Sequence, residues 1–284
     1  MQDFQEWRAE RTAAARNDPR STYELVRLAL SSDEELAWEA IELLQARASP
    51  DVLVEAQQLT ESRIAHERAR GADIIGGMGI GERVFQSERQ QVLLGLLYRE
   101  TGSEVLQAVA AAFGHYPTPV AVPGLARLAD HRDWRVRHNV VMALAGQEHP
   151  LAIAALIHLT EDVEEIVRDW ATFGLGSQVE VDTPAIRDAL ARRLHDSDSV
   201  VRGEALVGLA HRQDPRARWA LEAARSDGTD EYLVSEAADL LAKSAWAAFP
   251  EVHAVPLMWS LTAAGLLWLI RRRQTRSSAE IPEG

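Results

Sequence analysis

The sequence predicts an all-α protein, an α-solenoid of about seven antiparallel helix pairs. Three observations predict it. An eleven-residue frame recurs seven times along the 284-residue chain, helical stretches opened by proline lie upstream of its copies, and nowhere do apolar and polar residues alternate as in a half-buried strand. Repetition at this period marks stacked supersecondary units, each too small to bury its apolar face alone.

The frame is clearest in "VRHNVVMALAG" at 136–146, "VRDWATFGLGS" at 167–177 and "VRGEALVGLAH" at 201–211. Looser copies are "LAWEAIELLQA" at 36–46, "VLQAVAAAFGH" at 105–115 and "LVSEAADLLAK" at 233–243. The shared pattern is an apolar residue, often Arg next, an apolar ninth residue and often Gly or Ala at the tenth. "ERARGADIIGG" at 67–77 fills the one gap, with Arg68 at the arginine position and Ile75 at the ninth. Spacings are then 31, 38, 31, 31, 34 and 32 residues.

Taken in order, residues 1–17 read as an N-terminal capping helix and 18–245 as the repeat array. Upstream halves open with Pro19, Pro50, Pro119, Pro150, Pro184 and Pro215, because proline is tolerated where the first helical N–H has no partner. Acidic turns such as "EDVEE" and "HDSDS" join the halves and supply N-caps. The glycines of "ADIIGGMGIGERVF" at 72–85 resemble a phosphate loop, but Glu82 stands where G-x-G-x-x-G needs its third glycine. Ile74 and Ile75 therefore end a helix, Gly77 suits a left-handed C-cap, and 77–88 becomes an insertion anchored by Phe85.

"DWRVRHNVVMALAG", "EIVRDWATFGLG" and "DSVVRGEALVGLA" resemble the HEAT family, in particular the short bacterial HEAT-like repeats also found in phycobilisome lyases. The resemblance covers about residues 18–243 and implies an armadillo-like, right-handed superhelix. It further implies that the second-position arginine meets an acid of a neighbouring repeat. Arg68, Arg137, Arg168 and Arg202 hold that slot, whereas Ala37, Leu106 and Val234 depart from it, so this structural ladder is expected to break towards both ends.

Composition and motifs exclude most chemistry. Acids outnumber bases 43 to 30 for a net charge of −13, so a phosphate backbone is repelled and no nucleic-acid partner is expected. HEAT-like DNA glycosylases need a basic face, and Arg132, Arg135 and Arg137 form only a small cluster. The di-iron deoxyhypusine hydroxylase needs repeated His-Glu pairs, and His66-Glu67 is the only one. A zinc-protease motif would need histidine where Arg70 stands. No catalytic, cofactor or metal residue is assigned. Cysteine is absent, which removes thiol chemistry.

The expected function is a non-enzymatic protein-interaction scaffold; the alternative is a phycobilisome-lyase-like HEAT protein that assists chromophore attachment. Positions three, four and seven of the frame point partly outward on the second helices. Candidate binding residues are Trp38, His138, Met142, Trp170, Phe173, Glu204 and Val207, with Phe85 from the insertion. Met142, Phe173 and Val207 would form an apolar groove with an acidic rim, suited to a basic or amphipathic protein or peptide. A monomer is expected. "MQDFQEWRAERTAAAR" has no apolar h-region, so the expected location is cytoplasmic. Residues 246–284 contain an uncharged stretch, 254–270, long enough either to reach across a bilayer or to cap the solenoid.

Overall fold

In a computed structural model, residues 2–79 and 84–247 are described, and every regular element among them is helical. Helix α1 (Gln2–Asn17) lies against the first pair, α2 (Thr22–Ala29) and α3 (Glu34–Arg47). The second pair is α4 (Pro50–Thr60) with α5 (Ala65–Gly77), and the third is α6 (Gln86–Arg99) with α7 (Ser103–His115). In the fourth, α8 (Val122–Ala126) is a short helix between two 3-10 turns, Pro119–Ala121 and Arg127–Asp130, and pairs with α9 (Trp134–Leu144). Then come α10 (Pro150–Leu159) with α11 (Glu165–Phe173), which runs on as a π turn over Gly174–Gln178. The last pairs are α12 (Pro184–Arg193) with α13 (Ser199–His211), and α14 (Pro215–Ala224) with α15 (Glu231–Ala247). Each copy of the frame falls in the second helix of its pair.

Local chemistry explains the boundaries. Pro50, Pro150, Pro184 and Pro215 each stand at a helix start, behind Ser49, His149, Thr183 and Asp214, whose side chains accept the free N–H groups. Two openings differ from expectation. Pro19 does not start α2, which is capped by Ser21 in a reciprocal box with Glu24. Pro119 starts only a 3-10 turn, since Pro123 follows four residues later.

The glycine stretch also needs correction. Helix α5 continues through Gly77, and the left-handed residue is Gly79, with φ 61° and its N–H on the Gln45 carbonyl at 2.8 Å. Gly77 is small because Gln45 crowds it; a Cβ there would sit 2.3 Å from the Gln45 amide carbon. The insertion is shorter than 77–88, because Gln86–Glu88 already form the first turn of α6. Residues 80–83 lie outside the described residues, as does the 254–270 stretch. Among the described residues no helix is long and apolar enough to cross a membrane.

The pairs stack in two layers around one continuous core that runs from Leu25 to Leu241. Second helices lie against one another along their lengths, whereas first helices touch their neighbours more sparingly. Backbone proximity explains why. A Cβ on Gly76 would meet the Ala112 Cβ at 2.5 Å, and one on Gly208 would meet the Gly176 Cα at 2.6 Å. The closer spacing makes the second-helix layer the inner side of the stack.

An arginine ladder crosses the turns between first and second helices. Arg137 grips Asp162 of the next unit with Nε at 2.6 Å and Nη2 at 2.7 Å, while its Nη1 donates to the His131 carbonyl of its own turn. Arg168 repeats this with Asp196 at 3.0 and 3.1 Å and the Asp162 carbonyl at 2.9 Å. Arg68 holds Glu100 in the same fork and donates to the Ser62 carbonyl. Planar guanidinium matches carboxylate in two parallel bonds, and each pair ties one unit to the next. Arg202 differs: its Nε reaches the Thr229 hydroxyl at 3.1 Å and its Nη2 the Asp227 carbonyl at 3.2 Å.

Candidate protein-binding face

The inner layer presents frame positions three, four and seven, and two side-chain groups form there. The first spans α3, α5 and α7. Trp38 is 44% exposed, with the Arg70 guanidinium 5.2 Å from its ring centre. Arg70 Nη2 donates to both carboxylate oxygens of Glu34 (2.8 and 2.7 Å), and its Nη1 lies 3.6 Å from Asp73. His66 Nδ1 is 2.9 Å from Glu104. These residues, with Gln107 and Asn139, line a recess of about 340 Å³. Burial raises the Asp73 carboxyl to about 6; Arg70 and His66 oppose that shift, and Glu34 adds to it. The Arg70 bond holds Glu34 below the ordinary carboxylate range.

The second group runs from α9 to α11. Trp134, His138, Trp170 and Phe173 meet edge to face in succession, with ring centres 6.5, 6.1 and 5.8 Å apart. All four are half-buried, as is Met142 beside them. Burial pushes the His138 imidazole down, so it stays neutral at pH 7, and its Nε2 is enclosed without a hydrogen-bond partner. The strip is therefore an apolar ridge rather than a charged one.

The structure brings four of the sequence candidates together here: His138, Met142, Trp170 and Phe173. Trp38 stands apart in the first group. Glu204 and Val207 need correction as surface residues, since each is only 1% exposed. Gly203 precedes them, and a Cβ there would lie 2.6 Å from Leu233, so α15 closes tightly over this part of α13. The expected Met142–Phe173–Val207 stripe ends at Phe173. Phe85 takes a left-handed backbone with φ 48° at the head of α6, and its ring packs partly against the core. Arg70, Asp73 and Trp134 were missed. The first two occupy positions four and seven of the α5 copy, so the frame itself carried the signal. Among the described residues no group of three or more His, Asp or Glu could hold a metal ion.

Stacked helix pairs, an inter-unit arginine ladder and a side-chain-rich inner layer define an α-solenoid repeat protein. Residues 91–176 match the family model for HEAT repeats, and the described residues form a HEAT-like repeat solenoid. Over 81 residues, 28% of the chain, it is 35% identical to protein YibA of Escherichia coli K12, a match spanning only 29% of that relative's length. The solved structure of E. coli YibA superposes with a TM-score of 0.66 at 22% identity, covering 84% of this chain and 86% of YibA. The archaeal HEAT-like repeats protein from Thermococcus onnurineus NA1 superposes with a TM-score of 0.55 at 16% identity, over 80% of this chain and 97% of the other. At these identities the superpositions establish the fold.

Proposed function

We propose that the protein is a non-enzymatic scaffold whose inner face binds a basic, amphipathic protein segment. The observation that carries this reading is the edge-to-face strip Trp134–His138–Trp170–Phe173 on the inner layer. Partly exposed aromatics that are held rigid lose little conformational freedom on binding, which is why they dominate interface energetics. Charge supports the choice of partner. The Glu34–Asp73–Glu104 recess lies on the same face, and the chain carries −13 overall.

The test uses a fluorescein-labelled peptide of alternating arginine and leucine, with the glutamate–leucine peptide as control. Combined Trp170→Ala and Phe173→Ala should weaken the arginine peptide about tenfold or more, the loss expected at an aromatic hot spot. Unchanged affinity in the double variant, or equal binding of the acidic peptide, would falsify the proposal.

A further inference from the structure

The ladder has a systematic gap. Each turn begins with a residue whose carbonyl or side chain serves the ladder: Ser62, Glu100, His131, Asp162 and Asp196 stand six positions before the frame's arginine slot. Ser62, His131, Asp162 and Asp196 each accept the N–H two residues on, which confirms their equivalence. The arginine of one unit pairs with this residue in the next. At the junction of the third and fourth units both members are replaced, Leu106 for arginine and His131 for the acid.

Two further features coincide at that junction. Its neighbours are locked by glycine approach: Gly76 on Ala112, Gly174 on Ala145 (a Cβ at 3.1 Å) and Gly176 on Gly208. Between α7 and α9 a Cβ on Gly114 would meet Met142 at 3.7 Å, ordinary contact with room to shift. The first helix is also interrupted here, because α8 is five residues between 3-10 turns and Pro123 removes a donor, although Gly124 lets it sit against Leu97 of α6. Side-chain bonds across the junction include Gln107 to Asp133 at 3.2 Å, Asn139 to the Gln107 carbonyl at 3.3 Å and the Thr118 hydroxyl to Gln90 at 3.2 Å, with Arg127 stacked on Tyr98 at 4.8 Å. The first junction also lacks an arginine bridge, at Ala37, but Arg70 on Glu34 and Gln45 on the Asp73 carbonyl tie it.

We infer that the junction between the third and fourth units is the bending point of the solenoid, with the α7–α9 contact as its pivot. Two stiff plates meet there. One carries all of the Trp38 recess except its Asn139 edge and the other the aromatic strip, so bending changes the shape of the recess and its spacing from the strip. This inference does not depend on what the face binds.

The absence of cysteine allows selective spin labelling. A Gly95→Cys/Leu151→Cys pair spans this junction and the next; both sites are exposed, and a Cβ at Gly95 meets nothing within 4 Å. A Leu151→Cys/Trp219→Cys pair spans the two junctions beyond. Double electron–electron resonance on the full chain should show the first distance distribution about twice as wide as the second. Leu106→Arg with His131→Asp restores the missing bridge and should narrow it. Equal widths in the two pairs overturn the inference, and so does a folded double variant that keeps the original width. If that variant does not fold, the comparison between the two pairs decides alone.

Discussion

Asp73 shows how one side chain is governed by its surroundings. Its carboxyl is 13% exposed and titrates near 6, against 3.8 for a free aspartate, because burial outweighs the help from Arg70. The folded chain therefore holds a proton that the unfolded chain releases between about pH 4 and 6. Stability from this group is full below that window and is lost as pH rises through it, by ~3 kcal/mol at most. His138 and His115 have values lowered by desolvation and act oppositely, losing stability as pH falls below the free imidazole value. The contribution of Asp73 is isolated by comparison with Asp73→Asn. The variant's advantage in thermal stability should grow from pH 4 to 6 and then level off. A difference that stays flat across this range would show that the carboxyl is not strained by burial.

At the scale of elements, glycine does two unlike things in different helices. Gly208 in α13 lets the Gly176 backbone come close, and a methyl there would have to fit within 2.6 Å of a Cα. Gly208→Ala should destabilise the protein by about 1–3 kcal/mol through overpacking, even though alanine is the better helix former. Gly95 in α6 faces open space, so Gly95→Ala should stabilise by about 0.5–1 kcal/mol. Denaturant unfolding of the two variants measures both signs. If both shift the midpoint alike, packing between second helices does not set the inner spacing. Buried arginines complete these helix ends. Arg89 donates to the carbonyls of Ile75 and Gly76 at 2.9 and 2.8 Å, and Arg212 to those of Leu175 and Gly176 at 2.9 and 2.6 Å. Each satisfies carbonyls that a helix C-terminus leaves free.

For the whole molecule, the acidic surface and the ladder use charge differently. Ladder carboxylates such as Asp162 and Asp196 are nearly buried and bound in forks, so salt screens them little. Glu34 and Glu104 on the inner face are more than half exposed, and their attraction for a cationic partner is open to screening. Binding of the arginine–leucine peptide should thus fall about five- to tenfold between 50 mM and 500 mM salt, with thermal stability nearly constant over the same range. Salt-independent binding would point to an interaction carried by the aromatic strip alone.

The recurring frame and its period sufficed to place all seven second helices, because an amphipathic repeat has few ways to bury its apolar residues. The arginine slots were legible too, since residue type and register together specify a fork. Burial at the ends of the inner face was not. Val207 and Phe173 share a frame position, yet only Val207 is enclosed, because Gly203 admits Leu233 and draws α15 over α13. Likewise Leu106 was visible as a departure from the pattern, but its meaning depended on His131 lying opposite across the junction. Local sequence decides which residues form a helix and which face is apolar. Which of those faces stays open is decided by how closely neighbouring backbones approach, a property of pairs of units that no single unit encodes.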